Sequence, residues 1–64
     1  MDNTQFNNWY DFYADKFTRI SNNAIIGYWY LYGRDSDSDA PLSARDAAAY
    51  AAVNQAIDDR ALQP

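Results

Sequence analysis

Cysteine, histidine and glutamate are absent from this chain of 64 residues, and glycine and proline occur only twice each. Without cysteine there can be no disulfide and no thiolate zinc site. Without histidine, the commonest metal ligand and the usual general base are both missing. A metal site would have to be built from oxygen ligands alone, which points to calcium or magnesium. Ser36, Ser38 and Ser43 have no base of the usual kind to activate them, and Lys16 and Arg19 beside Asp15 read as surface pairing on a helix. The chain is therefore expected not to be an enzyme and to need no cofactor.

Long apolar runs are also lacking. The densest, Ala24 to Tyr32, has nine residues, whereas a membrane-spanning helix needs about twenty. The opening residues MDNTQFNN lack the basic region and apolar stretch of a signal peptide. The expectation is a soluble, cytoplasmic protein that does not engage a membrane. Positive charge is scarce as well: five basic residues face nine aspartates, giving a net charge of −4. That balance disfavours direct binding to nucleic acid, which needs clustered Lys and Arg, and favours a partner with a basic protein surface. A chain of this size forms one domain, here residues 1–64, and buries only about 60% of the surface that its unfolded form exposes. Association with a partner or with a second copy is the remaining way to bury more.

What is present is helical periodicity. Phe6, Tyr10, Tyr13, Phe17, Ile20, Ala24, Gly27 and Leu31 fall at alternating steps of four and three, a heptad seam. Trp9 widens this stripe, while Asn8, Asp11, Asp15, Thr18 and Asn22 gather opposite it. The spacing predicts a helix over 4–20, capped by Asn3 or Thr4. Ser21, Asn22 and Asn23 favour caps and turns, yet the seam crosses them in phase, so a continuous or gently bent helix is expected. The run 24–32 is rich in β-formers, but no second strand of comparable quality exists to pair with it. It is read as helix, ending at Gly33. Ser43 and Asp46 form an S-x-x-D variant of the capping box and open an Ala-rich helix over 43–62. Its inner stripe is Tyr50, Val53, Ile57 and Ala61, with Asn54 beside them. The fold class is all-α, either a helical hairpin or a three-helix bundle with helices near 4–20, 24–32 and 43–62. Aromatic side chains of the first arm should fill the space beside the alanines of the second.

Two stretches carry binding potential. In the seam register Gly27 and Leu31 point inward, and Ile25, Ile26, Trp29, Tyr30 and Tyr32 spread over the other faces. A helix that is apolar all round needs more than one neighbour to bury it. Trp29, Tyr30 and Tyr32 are therefore candidate partner-binding residues, of the types that dominate hot spots. The alternative is a bend at 21–23 that folds the block into the protein's own core. The aspartates Asp11, Asp15, Asp35, Asp37, Asp39, Asp58 and Asp59 complete the candidate set, placed to meet Lys and Arg that otherwise hold phosphate.

Asp35, Asp37, Asp39, Leu42, Ser43 and Asp46 stand at relative positions 1, 3, 5, 8, 9 and 12. This spacing resembles the calcium loop of EF-hand proteins, and more closely the dockerin variant, in which an aspartate can close the loop. The resemblance covers twelve residues, 35–46, and implies a calcium ion held by Asp35, Asp37, Asp39, Ser43 and Asp46 between two helices. The sixth position, normally glycine, is Ala40 and is followed by Pro41, which pushes it away from the positive-φ turn. The expectation is a solvated acidic loop with no calcium binding tighter than millimolar. In size and charge the chain also resembles small acidic proteins of phages and mobile elements, such as anti-CRISPR and antirestriction proteins. That resemblance implies an inhibitor that blocks a nucleic-acid-binding protein. A calcium-binding helix–loop–helix module and a structural homodimer or small subunit are the alternatives.

Overall fold

The computed structural model describes residues 4–36 and 42–63, which form three helices: α1 (Thr4–Phe17), α2 (Asn22–Ser36) and α3 (Ala44–Asp59). The all-α architecture expected from the periodicity is present, as a three-helix bundle and not a hairpin.

α1 stops three residues before the expected end, for a local reason. The Thr18 hydroxyl donates to the Asp15 carbonyl at 2.7 Å, and the amides of Thr18 and Arg19 donate three residues back, to Asp15 and Lys16. The last turn thus tightens to i→i+3 bonds and the helix cannot propagate. Ser21 then starts α2 as its N-cap, its hydroxyl accepting from the Ala24 amide at 3.2 Å. The heptad seam does not cross this joint. Ile25 is fully buried and Tyr28, Trp29 and Tyr32 pack against the core, while Gly27 and Leu31, expected inside, face outward. The break resets the helical phase, so register in α2 follows its packing on α3. The expected stop at Gly33 is also corrected. α2 continues to Ser36, and no glycine has positive φ. Glycine permits the left-handed conformation but does not impose it.

α3 begins as expected. Ser43 is extended and its hydroxyl accepts from the Asp46 amide at 3.1 Å. The helix ends earlier than residue 62, in a Schellman motif. The Leu62 amide donates to the Ile57 carbonyl and the Ala61 amide to the Asp58 carbonyl. Ala61 takes the left-handed position, φ 53°, at a cost of about 1–2 kcal/mol for a residue with a Cβ. It lies past the helix end instead of on the inner stripe, and Leu62 folds back onto the core in its place.

α3 is the helix on which the other two pack, and its small side chains explain why. Ala48, Ala49, Ala52 and Val53 are essentially inaccessible, which lets the Tyr13 and Phe17 rings of α1 lie close to the α3 backbone. α1 and α2 meet through rings, Phe17 on Tyr28 at 5.5 Å and Tyr13 on Tyr32 at 6.3 Å. α2 runs antiparallel to α3, since Trp29 reaches Asn54 and Gly33 lies beside Tyr50. α1 and α3 run in the same direction, with Arg60 at the end of α3 reaching the end of α1. That guanidinium donates to the carbonyls of Phe17 and Ile20 and to the Asn22 side chain, at 2.6, 2.9 and 2.9 Å. It therefore ties both sides of the α1–α2 joint to α3. Among the described residues no buried side-chain polar atom lacks a partner.

Candidate functional site: an aromatic cleft beside the second helix

The block 24–32 divides between core and surface. Ile25 is sealed in the core, and Trp29 lies half-buried against it. The Trp29 indole N–H donates to Asn54 Oδ1 at 2.9 Å, a bond that holds the ring in one orientation. Tyr30 is 60% exposed and meets the Trp29 ring edge to face at 5.0 Å. Tyr32 points elsewhere, stacking on Tyr28 at 6.1 Å and meeting Tyr13. Two of the three expected aromatic residues thus share a surface, and the third belongs to the packing between α1 and α2.

Around Trp29 and Tyr30 opens a cleft of about 680 Å³, walled also by Leu31, Gly33, Arg34 and Tyr50. Arg34 and Tyr50 were not singled out from the sequence as site residues. Nothing in their local pattern marks them, because Tyr50 comes from α3 and meets α2 only through the bundle. A second aromatic surface lies on α1. Phe12 is 52% exposed and packs edge-on to Trp9 at 6.0 Å, with the Arg45 guanidinium 5.1 Å from the Trp9 ring. Phe12 stands outside the seam, and an aromatic residue out of phase on an otherwise polar face was the available signal.

The aspartates do not converge. Asp11 and Asp15 are exposed on α1, and Asp15 pairs with Arg19 at 3.2 Å. Asp58 and Asp59 are exposed at the far end of α3. Asp59 accepts from Gln55 and borders a smaller groove of about 310 Å³ between α1 and α3. Asp35 lies in the last turn of α2, and Asp37 and Asp39 lie outside the described residues. Of the calcium-loop set, Ser43 uses its hydroxyl as the α3 cap and Asp46 supplies the amide that it accepts from. Among the described residues, no group of three or more acidic side chains is arranged to hold a metal. None of the described helices is long and apolar enough to cross a membrane.

One titration reports on the packing between α1 and α2. Burial, and then the neighbouring Tyr13, push the Tyr32 phenol up from 10.0 to about 12. The Tyr13 hydroxyl also accepts from Arg45 Nε at 2.9 Å, which holds that guanidinium further toward its charged form. A raised phenol favours the neutral form in the fold. Its contribution to stability is complete below pH 10 and is lost as pH rises through 12. Urea unfolding of Tyr32→Phe should accordingly show a shallower loss of stability between these limits than the parent protein. Parallel profiles for the two proteins would mean that Tyr32 is not the group responsible.

As a whole the cleft offers stacking surfaces, apolar walls and a single cation, which is the equipment for binding. The chain matches no protein-family model, and no curated protein or solved structure is detectably similar to it.

Proposed function

We propose that this protein is a small acidic interaction module that occupies a surface of a larger, basic protein. The observation that carries this reading is the Tyr30 ring, which stands at the surface on a Trp29 ring already fixed by Asn54. An aromatic anchor held in place before binding loses little conformational freedom on association, and Tyr and Trp are the side chains that most often dominate hot spots. The exposed carboxylates of Asp11, Asp58 and Asp59 add a field that speeds encounter with a positive surface. In its concrete form the module is an inhibitor of the anti-CRISPR or antirestriction kind. It covers Lys and Arg side chains that a nucleic-acid-handling protein uses to hold phosphate.

Tyr30 is the clean probe of this function. Its ring is mostly in solvent, so Tyr30→Ala should change stability by no more than about 0.5 kcal/mol. The same change should weaken association with the partner isolated from the host by about 2 kcal/mol or more. Trp29→Ala should affect both properties, because it also removes a packed ring and the bond to Asn54. Association should slow as salt rises, and nucleic acid should compete for the partner. A partner that binds Tyr30→Ala and the parent equally well, and is indifferent to nucleic acid, would refute the proposal.

A further inference from the structure

We infer that the groove between α1 and α3 receives a lysine side chain of the partner. The inference rests on the reading of that partner as a basic protein, and it names where one of its cations is held. The groove encloses about 310 Å³, against roughly 300–1,000 Å³ for binding pockets in general, which suits one extended side chain. Ala14 of α1 and Ala52 and Ala56 of α3 give it apolar walls, to which the buried Phe17 ring adds. Nothing longer than a methyl group projects from the three alanines, so a four-carbon stem can lie along them out of water. α3 is a wall both of this groove and of the Trp29–Tyr30 cleft, so one partner surface laid along α3 reaches both.

The polar groups of the wall are left as acceptors. The Gln55 amide donates to Asp59 Oδ1 at 3.0 Å, which steadies the carboxylate and leaves the Gln55 carbonyl oxygen to accept. The Thr18 hydroxyl gives its proton to the Asp15 carbonyl at 2.7 Å, so its oxygen is also left to accept. Arg60 is the one cation in the wall, and it is committed to the α1–α2 joint. There it donates to the Phe17 and Ile20 carbonyls and to Asn22, and it offsets the negative end of the α1 dipole. Asp59 has no such counter-charge. Among the described residues it makes no ion pair, and it stands beside Asp58 in the last turn of α3, where that helix's dipole is negative too. On the α1 side, Asp15 pairs with Arg19, and the exposed Asp11, three residues before Ala14, adds a further negative charge. An ammonium brings three donors on a compact head, which matches Asp59, Gln55 and Thr18. A guanidinium fork takes both oxygens of one carboxylate, and Gln55 already holds one of those of Asp59.

The test is a chemical-shift titration of the intact protein at low salt with three short capped peptides. They are identical except for a central Lys, norleucine or Glu. The Lys peptide should shift the Ala52 and Ala56 methyl signals and the Gln55 side-chain amide, and bind about fivefold more tightly than the norleucine peptide. Asp59→Asn, whose side chain can still accept from Gln55, should erase that preference with an unchanged melting curve. Ala56→Leu should fill the groove and abolish binding of both peptides, and Ala14→Leu fills it from the α1 side should the first variant not fold. Equal binding of the Lys and norleucine peptides would overturn the inference. So would tighter binding of the Glu peptide, shifts centred on Trp9 or Trp29, or a preference for Lys that survives in Asp59→Asn. Asp59→Asn should also weaken association with the partner isolated from the host by about fivefold. If Tyr30→Ala weakens that association while Asp59→Asn does not, the interaction module stands and this inference alone falls. If Asp59→Asn weakens it while Tyr30→Ala does not, the aromatic anchor falls and the lysine groove stands.

Discussion

Phe17→Ala is expected to leave most of the chain unfolded at room temperature. The ring is 1% exposed and touches Tyr13 at 5.8 Å and Tyr28 at 5.5 Å, so it joins α1 to α2 while both lie on α3. Truncating a buried Phe to Ala costs about 3–5 kcal/mol, through lost transfer energy and the cavity left behind. A domain of this length holds only roughly 3–10 kcal/mol in total, at about 0.05–0.15 kcal/mol per residue. No disulfide limits the unfolded chain. Collapse of α2 into the space is the one relaxation available, and the fully buried Ile25 resists it. Phe17→Leu, which keeps most of the volume, should lose much less. Circular dichroism during heating distinguishes the outcomes, because 1 kcal/mol corresponds to about 4–8 °C in a domain of this size. A Phe17→Ala melting temperature within a few degrees of the parent would show that the three helices are not held together at this ring.

Arg60→Ala is expected to be the most damaging change to a charged side chain, at about 2–4 kcal/mol. The side chain satisfies the Phe17 carbonyl, which α1 leaves without a helical partner at its end, and the Ile20 carbonyl in the joint, and it also binds Asn22. It places a positive charge at the negative end of the α1 dipole as well. Removing it strands partly buried acceptors and releases the joint that sets the angle between α1 and α2. Arg60→Lys separates the two effects. An ammonium keeps the charge but cannot span three acceptors from one position, so it should recover less than half of the loss. Urea unfolding measures the cost, and amide exchange should localise it to residues 17–22. Full recovery in Arg60→Lys would mean that charge alone, and not the fork of hydrogen bonds, secures the joint.

Much of this architecture is decided locally and is legible in the sequence. The first-arm seam, Phe6 to Ile20, faces inward as its spacing requires, because 3.6-residue periodicity fixes which side chains share a face. Ser43 caps α3 because a short hydroxyl two or three residues before a free amide is a local geometry. The absence of strands among the described residues follows from the want of any partner for 24–32. Other features depend on contacts between residues far apart in the chain. The i→i+3 turn at 18–19 resets the helical phase, and packing on α3 then chooses Ile25 over Gly27 and Leu31 for the interior. Trp29 stands where Asn54, twenty-five residues later, accepts its proton. Tyr32 turns to Tyr13, Arg34 and Tyr50 join one cleft from two helices, and Arg60 serves the end of a helix more than forty residues before it. Periodicity assigns a residue to a face of its own helix. Only the docking of that helix against the others determines what the face meets, because the free energy of that choice lies in burial and hydrogen bonds shared between helices.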